Sequence, residues 1–401
     1  MDYSAEEVMQ HIAKEDVKFI RLAFCDVRGR QKNISIMPGE LRRAFSDGIA
    51  IDASSIEGFG GEERSDVLLH PDPGTIAPLP WRPEHGRVLR MFCTLKKPDG
   101  SPFPADTRAL LARAVEDARK EGLSFFFGTE GEFYLFRLNE DGERTDVPYD
   151  CAGYMDMAPL DRGENVRREI CLTLEQMGIR PERSHHEAGP GQNEIDFRYA
   201  EPLTAADDAL TFRTVVDTVA ARSGLAADFS PKPLADKPGN GMHINFSVKG
   251  QGEDVMPYVI AGVMAHICEI TAFLNVSEAS YRRFGVDRAP KAVSWSPENR
   301  SQLIRIPAAA GEYRRAELRS PDPLCNPYLA FSLLIYAGLW GVRNRAPLMP
   351  PKEADLFHAP PQAFEGLELL PESLAKAKRI AACSPFVQEC LPKELIDYYT
   401  R

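Results

Sequence analysis

Short segments near the N-terminus alternate apolar with more polar residues, which is the pattern of β-strands. Across residues 17–36, Ile20, Leu22 and Phe24 alternate with their neighbours, a turn sequence follows, and Ile34 resumes the alternation. This pattern predicts a β-hairpin and therefore a small, β-rich N-terminal domain.

Two proline-rich passages, residues 71–83 and 98–104, interrupt the regular patterns. Convincing helical spacing begins only after the second passage. We therefore predict a domain boundary near residue 100, with an N-terminal domain over residues 1–100 and a second domain over residues 101–401.

Helical and strand patterns alternate loosely in the second domain. Predicted helices cover residues 108–121, 164–177, 204–221, 257–274 and the stretch that follows residue 327. Predicted strands cover residues 124–136, 192–199, 242–248, 302–306 and 315–319. Because these strands carry polar residues at every second position, they do not suit a parallel sheet that is covered on both faces. An antiparallel sheet with one polar face and helices behind it is predicted.

The composition limits the class of protein. The chain has 401 residues, of which 43% are apolar and 27% charged, so it can fill a sizeable core and is not disordered. The net charge of −11 leaves no overall positive field for a nucleic acid or an anionic membrane, and we expect neither partner. Local basic pockets for small anions are still allowed.

The sequence also indicates where the protein resides. The eight cysteines include no CxxC pair, which argues against a zinc knuckle and a dense disulfide framework. The acidic N-terminus lacks the basic and apolar regions of a secretory signal. The longest apolar run, residues 327–342, is too short to span a bilayer and predicts a buried helix. A cytoplasmic protein is therefore expected.

Two carboxylates share a face of the predicted strand over residues 124–136. The period of two places Glu130 and Glu132 on one side and Phe133 and Leu135 on the other. Neighbouring like charges destabilise a strand unless a cation lies between them. The ordinary alternative is a solvated outer face, which is the commoner position of such a pair.

A Gly-Pro-Gly turn at residues 189–191 adds two more acids. It carries Glu187 and Glu194 on its two limbs, close to the beginning of another predicted strand. Four acids are therefore expected at one site. His185 and His186 lie beside this turn, and histidines in such positions are often only surface residues.

Two further segments present polar side chains on one strand face. His243, Asn245 and Ser247 follow a glycine-rich turn and lie on the same side of a predicted strand. The alternative is a glycine hairpin turn with a hydrogen-bonded histidine. Glu317 and Arg319, two residues apart, also share a face.

Five glutamates and one histidine on one sheet face need a counterion, because burying such charges unpaired costs several kcal/mol each. Oxygen ligands with a single imidazole and no thiolate favour Mg²⁺ or Mn²⁺ over Zn²⁺, and there are enough ligands for two ions. Arg305 interrupts a nearby apolar strand, which suggests a clamp for a carboxylate or phosphate. Taken singly, such an arginine is more often solvated or salt-bridged.

Metal ions with oxygen ligands, and arginines around an anionic site, describe phosphoryl transfer. The sequence has no Walker A pattern and no kinase glycine loop. The residues alone leave two classes open: an ATP-using enzyme of another architecture and a metal-dependent phosphohydrolase.

An ordered series of motifs resembles glutamine synthetase of the type I class over nearly the whole chain. The motifs occupy residues 51–59, 130–133, 185–194, 241–243, 300–307, 317–323 and 326–328. The resemblance implies an α+β fold, with a β-grasp-like N-terminal domain and a glutamine-synthetase-like catalytic domain of curved antiparallel sheet backed by helices.

The resemblance assigns metal ligands residue by residue. Two ions would be held by the sets Glu132, Glu187, Glu194 and Glu130, His243, Glu317. The implied cofactors are ATP and two or three Mg²⁺ or Mn²⁺ ions.

The resemblance also implies the substrate contacts. Glutamate would be bound by Asn193, Gly239, Arg283, Arg300 and Arg319. ATP would be bound by Lys232, Asn245, Ser247, Arg305 and Arg315, of which the arginines would contact phosphates. Catalytic roles would fall to Asp52, Arg283, Arg305 and Arg319, and Asp52 would polarise ammonium from the small domain of a neighbouring subunit.

The implied reaction activates the γ-carboxylate of glutamate as γ-glutamyl phosphate, from which ammonia displaces phosphate. The products are glutamine, ADP and phosphate. The implied assembly is a ring-shaped homo-oligomer, a hexamer or a dodecamer, with active sites between subunits.

Three departures from the family pattern modify these expectations. Arg288 occupies the position of the family's flap glutamate, which helps to deprotonate ammonium, and Asp287 is a candidate substitute. The tyrosine motif for adenylylation is absent from residues 356–374, so that regulation is not expected. The chain stops at Arg401, short of the C-terminal extension of many relatives, so a ring is a firmer expectation than a dodecamer.

The leading hypothesis is an ATP-dependent ligase that joins ammonia to glutamate. The first alternative is a γ-glutamyl ligase for an amine or polyamine; Arg288 motivates it, whereas Asp52 argues against it, and a cationic amine should be repelled at position 288. The second alternative is a catalytically silent regulator that binds nucleotide or glutamine. Retention of all six metal-ligand residues argues against that regulator.

Overall fold

The structure is a computed structural model that describes residues 3–82, 85–250, 252–286, 288–309, 311 and 314–401, without the side chain of residue 64. Two β-sheets organise this part of the chain, one before the predicted boundary near residue 100 and one after it. The predicted α+β class follows from this arrangement.

The N-terminal sheet contains β1 (Val17–Cys25), β2 (Gln31–Ile36), β3 (Ile49–Asp52), β4 (Asp66–Pro71), β5 (Ala77–Pro78) and β6 (Arg87–Lys96). Its order is β2-β1-β6-β4-β3, with β5 paired to β6. The predicted hairpin is confirmed, because β1 and β2 pair antiparallel with Ile20 opposite Ile36. The pair β1 and β6 is parallel, so this sheet is mixed.

Two helices accompany this sheet, α1 (Ala5–Lys14) and α2 (Leu41–Ser46), together with 3₁₀ turns at Pro38–Glu40, Glu62–Arg64 and Pro73–Thr75. Sequence analysis missed α1, although its capping box is visible in the sequence. The Ser4 amide donates to the Glu7 carboxylate at 2.8 Å, and the Glu7 amide donates to Ser4 Oγ at 3.3 Å.

The second sheet contains β7 (Ser124–Leu138), β8 (Arg144–Pro148), β9 (Pro181–His186), β10 (Gln192–Phe197), β11 (Leu225–Asp228), β12 (Met242–Lys249), β13 (Trp295–Pro297), β14 (Ile304–Ile306) and β15 (Ala316–Leu318). Its order is β13-β14-β15-β12-β7-β10-β9, and β8 and β11 also pair with β7. The predicted antiparallel pairing holds for every pair except β13 with β14 at the edge, which is parallel.

The register of this sheet gathers the predicted ligands. On one side of β7, Glu132 lies opposite Glu194 of β10. On the other side of β7, Glu130 lies opposite His243 of β12. Because directly opposed residues on neighbouring strands face the same way, these side chains meet on one face. Glu317 joins them from β15, which pairs with β12 on the side away from β7.

The helices of this part of the chain are α3 (Thr107–Lys120), α4 (Glu164–Gln176), α5 (Pro202–Arg222), α6 (Met256–Leu274), α7 (Glu278–Tyr281), α8 (Pro327–Arg343), α9 (Leu374–Cys383), α10 (Pro385–Cys390) and α11 (Lys393–Thr400), with a 3₁₀ turn at Pro361–Phe364. The five predicted helices are confirmed within a few residues. Asp106 caps α3, because its carboxylate accepts hydrogen bonds from the amides of Arg108 and Ala109.

A continuous apolar core joins the two sheets. Phe127 on the apolar side of the second sheet stacks on Phe331 of α8 at 4.3 Å, and Leu22 and Met91 of the N-terminal sheet belong to the same core. Within the described residues, α6 is the one helix long and apolar enough to cross a membrane, and 78% of its apolar window is buried inside the protein. Burial of this kind is typical of a core helix.

Candidate active site

A cavity of about 420 Å³ opens on the polar face of the second sheet. Its walls bring together residues from five of the seven motifs. The sequence-predicted residues that line it are Glu130, Glu132, Glu187, Glu194, Lys232, Gly239, His243, Arg283, Arg300, Arg305, Arg315 and Arg319.

One cluster of possible metal ligands comprises Glu130, His243 and Glu317, whose ligand atoms all lie within 4.8 Å of one another. His243 Nδ1 lies 3.0 Å from Glu130 and 3.6 Å from Glu317. Asn245 Nδ2 donates to the other Glu130 oxygen at 2.9 Å. Although burial opposes it, the hydrogen bond with His243 lowers the pKa of Glu130 far below its usual value.

A second cluster comprises His185, Glu187 and Glu194, again within 4.8 Å of one another. Glu132 borders it and accepts a hydrogen bond from the amide of Gly241 at 2.7 Å. Burial raises the pKa of Glu132 to about 6. Burial and then the neighbouring carboxylates raise the pKa of Glu194 well above its usual value.

This excess of buried negative charge fits divalent cations. A carboxylate crowded by others ionises only when positive charge arrives, and hard cations prefer such oxygen ligands. The two clusters adjoin at β7, where Glu130 of the first lies within 4.8 Å of Glu194 of the second. The residues present therefore suit two ions that share one cavity.

Arginine side chains of the site balance part of the negative charge of the carboxylates. Glu317 is fully buried and pairs with both Arg305, at 2.5 Å, and Arg319. Arg319 Nε is also buried and has no hydrogen-bond partner in the described part of the chain, which leaves one donor for a ligand. Arg283 is buried, and its donors reach the Ser320 carbonyl at 3.3 Å.

The residues predicted to bind ATP lie in two adjoining places. Lys232 and Arg305 line the main cavity, whereas Asn245 and Ser247 line a smaller cavity of about 50 Å³ beside it. Arg315 lines both cavities, and its Nε donates to Asn245 at 2.8 Å.

Asn193 lies away from the cavity, which does not fit a side-chain contact with glutamate. Alternation along β10 turns it to the face opposite Gln192 and Glu194. Its Oδ1 accepts a hydrogen bond from Arg167 at 2.6 Å, and its Nδ2 donates to the Gly191 carbonyl at 2.9 Å. The side chain is buried.

Asp52 is also outside the cavity of this chain. It ends β3 in the N-terminal sheet, is exposed, and accepts a hydrogen bond from the Ser54 amide at 2.9 Å. That hydrogen bond lowers its pKa. Its predicted role in the site of a neighbouring subunit stays a prediction.

The surface interpretation of the two histidines is wrong for His186, which is fully buried. Its Nε2 lies 2.9 Å from Asp150 and its Nδ1 lies 2.6 Å from the Glu187 carbonyl. Against the effect of burial, the contact with Asp150 raises the pKa of His186 and lowers that of Asp150 to about 2. His185 lines the cavity.

Sequence analysis missed Gln192 and Asn240. Gln192 Nε2 donates to the Gly239 carbonyl and to Asn240 Oδ1, both at 3.1 Å, and so fixes the glycine turn beside Glu132. Gln192 was detectable, because alternation places it on the same strand face as Glu194. The buried position of Asn240 depends on contacts that are distant in sequence.

Arg288 lies at the mouth of the cavity. Its φ of 69° is positive, its guanidinium lies 4.9 Å from the Tyr154 ring centre, and its carbonyl accepts a hydrogen bond from Arg319 at 3.3 Å. The candidate substitute Asp287 lies outside the described residues.

Buried carboxylates that suit divalent cations, next to arginines that suit phosphate and carboxylate, define a metal-dependent phosphoryl-transfer enzyme. Within that class, the family model described as "Glutamine synthetase, catalytic domain" matches residues 104–401, and "Glutamine synthetase, beta-Grasp domain" matches residues 16–98. The chain belongs to the glutamine synthetase family.

Relatives of the chain carry the same name. It is 43% identical to a glutamine synthetase of Methanosarcina mazei, over 98% of this chain and 92% of that protein. It is 38% identical to one of Thermus thermophilus, over 100% and 94%. The chain is accordingly an enzyme, a glutamate–ammonia ligase that forms glutamine with ATP and a divalent metal.

Solved structures share the fold. A GmaS/ADP complex has a TM-score of 0.89 at 26% identity and is matched over 100% of this chain and 94% of that chain. A Plasmodium falciparum glutamine synthetase has a TM-score of 0.89 at 22% identity, over 100% and 95%, which bears on the fold alone. The predicted β-grasp domain and helix-backed sheet are confirmed.

Proposed function

We propose that this cavity holds two Mg²⁺ or Mn²⁺ ions during glutamine formation, with a third entering with ATP. One ion would use Glu130, His243 and Glu317. The other would use Glu132, Glu187 and Glu194. The observation that carries this proposal is the crowding of buried carboxylates on both sides of β7. When bound, the ions would neutralise the phosphates of ATP and the charge that develops during phosphoryl transfer.

Glutamate is proposed to lie between the arginines and the glycine turn. Arg319 and Arg283 would bind its carboxylates, with Arg300 at the outer wall, and the Gly239 backbone would face its amino group. The unpartnered Nε of Arg319 supports this position. Asn193 is left out, because Arg167 already occupies its Oδ1.

ATP is proposed to extend from the smaller cavity into the main one. Arg305 and Arg315 would bind its phosphates, with Lys232 beside them, and Asn245 and Ser247 would line the rest of its site. An oxygen of the glutamate γ-carboxylate bonds to the γ-phosphorus while the bond to ADP breaks. Arg305 and Arg315 stabilise the charge on the transferred group.

In the second step, the nitrogen of ammonia bonds to the γ-carbonyl carbon, and the bond from that carbon to phosphate breaks. Ammonium must first lose a proton, and we assign its polarisation to Asp52 of an adjacent copy of this chain. The exposed position of Asp52, outside the cavity of its own chain, supports a site shared between subunits. A cytoplasmic ring of six or twelve subunits would provide such shared sites.

A complementation experiment tests the shared site. We expect Asp52→Ala and Glu187→Gln to be nearly inactive alone, and co-expression in equal amounts to restore about one quarter of wild-type activity, because random mixing leaves about one site in four intact. Size-exclusion chromatography verifies that the mixed protein assembles. Activity no higher than the sum of the two variants would contradict a site shared between subunits.

Arg288 bears on a second candidate function, the ligation of glutamate to an amine, and its charge would oppose a cationic amine. Its positive charge at the cavity mouth bears on the choice of nucleophile. We expect Arg288→Gln to raise the rate with putrescine relative to ammonium about threefold or more at low salt, since the doubly charged amine is repelled most.

The exposed neighbour Arg282 provides the control, because Arg282→Gln removes the same charge outside the cavity lining. Rates of ADP formation with each nucleophile give the ratio. An unchanged ratio in Arg288→Gln would show that Arg288 does not select against cationic amines.

A further inference from the structure

A network of buried polar side chains lies behind β10, on the side away from the cavity. It connects the segment between β8 and α4 with the two limbs of the loop that carries Glu187. Its members are Asp150, Asp161, Arg167, His186 and Asn193, and all five are buried. Arg167 Nε is buried without a hydrogen-bond partner among the described residues, but the other hydrogen bonds of the network are made, and a buried network fixes its surroundings through such bonds.

Asp150 ties the two limbs of the loop together. One of its oxygens accepts the amide hydrogen bond of Gly191 at 2.9 Å and lies 2.9 Å from His186 Nε2. The other oxygen accepts from the Arg162 amide at 2.9 Å. Because His186 Nδ1 also contacts the Glu187 carbonyl at 2.6 Å, this connection reaches the backbone of Glu187 itself.

Arg167 fixes the second limb, where β10 begins. Its guanidinium binds both oxygens of Asp161, at 3.1 Å for Oδ1, and donates to Asn193 Oδ1 at 2.6 Å. Asn193 and Glu194 are consecutive in a strand, so holding the first on the rear face holds the second on the cavity face. The position of Asn193, unexplained by a glutamate contact, is explained by this role.

The network reaches only one of the two ligand clusters. None of its five residues, which all belong to the described ranges, lines the main cavity. It contacts the backbone of Glu187 and contains Asn193, the residue next to Glu194. Glu130, His243 and Glu317 are carried by β7, β12 and β15, and in the described part of the chain they make no hydrogen bond or ion pair with the network.

We propose that Asp150 and Arg167 are positioning residues that set the separation of Glu187 and Glu194, and thereby the affinity for one of the two ions. The inference rests on the proposed two-ion site. Outer partners of metal ligands typically change metal affinity about 10- to 100-fold when they are replaced.

The proposal is tested by measuring Mn²⁺ binding to the full-length protein without substrates. Isothermal titration calorimetry and electron paramagnetic resonance provide the measurements. We expect two binding events in the wild type. In Asp150→Asn and in Arg167→Gln, one event should weaken about 10- to 100-fold while the other stays within about twofold. Arg167→Lys keeps the charge but loses the planar fork, so its affinity in that event should lie between those of the wild type and Arg167→Gln.

Matched controls remove the same charges nearby. Arg168→Gln alters an exposed neighbour on α4, and Asp146→Asn alters an exposed residue of β8. Both should bind Mn²⁺ as the wild type does. Circular dichroism verifies folding, and if Arg167→Gln does not fold, Asp150→Asn and Arg167→Lys decide the question.

The outcomes separate the two proposals. If the wild type binds no Mn²⁺ or only one ion, the two-ion assignment fails. If the wild type binds two ions and the folded Asp150 and Arg167 variants bind both equally well, the positioning role is overturned. An equal weakening of both events would also overturn it, because that result would indicate a general loss of structure.

Discussion

Replacing Glu187 by glutamine is expected to lower the rate of glutamine formation more than about 100-fold at limiting Mg²⁺, because the variant loses the charge of a proposed metal ligand. The fold should be kept. The Glu187 amide donates to the Gln192 carbonyl at 2.8 Å, and one carboxylate oxygen accepts from the Ala188 amide at 2.8 Å, which a glutamine side-chain oxygen can also do. Steady-state rates over a range of Mg²⁺ concentrations provide the measurement.

Glu169→Gln provides the control. Glu169 is exposed on α4, so this substitution removes the same charge outside the cavity. It should leave the metal dependence unchanged. If Glu187→Gln turned over as fast as the wild type at limiting Mg²⁺, Glu187 would not be a metal ligand.

Replacing Arg319 by leucine is expected to raise the KM for glutamate about 10- to 100-fold, since hydrogen bonds to a charged group contribute about 1.5–3 kcal/mol. The variant also leaves buried Glu317 with one of its two arginine partners, Arg305. Initial rates at varied glutamate and saturating ATP measure the effect.

Arg319→Lys should recover part of this loss, because it keeps the charge without the two-pronged geometry. The exposed Arg282→Leu should behave as the wild type. An unaltered glutamate dependence in a folded Arg319→Leu protein would remove Arg319 from the glutamate site.

Strand periodicity predicted much of the candidate site. Glu130 and Glu132 share a face because alternation is a local property of a strand, and the structure keeps them together on β7. The same rule would have placed Asn193 behind the sheet. The family resemblance suggested a substrate contact there instead, and the local pattern was the better guide.

Other features depend on contacts between distant parts of the chain. β9 was not predicted, because its sequence is polar throughout and shows no alternation; pairing with β10 holds it. The burial of His186 likewise depends on Asp150, which is 36 residues away. A single sequence does not contain that pairing in any local signal.

Helices α9 to α11 were also missed. They are short, and their packing on the rest of the chain stabilises them more than local propensity does. Tyr399 of α11 donates a hydrogen bond at 2.8 Å to the carbonyl of Val27, 372 residues earlier in the chain. The hydrophobic pattern alone does not specify contacts between residues so far apart in the sequence.

We expect the proposed active site to join ammonia to glutamate at the expense of ATP. The most direct test is a parallel measurement of ADP and glutamine formed by purified protein with glutamate, ATP, Mg²⁺ and either ammonium or a panel of amines. We expect ammonium-dependent ADP and glutamine in equal amounts, abolished by removal of the metal. ADP formation that occurs only with an amine, or no ADP formation with any nucleophile, would contradict this function.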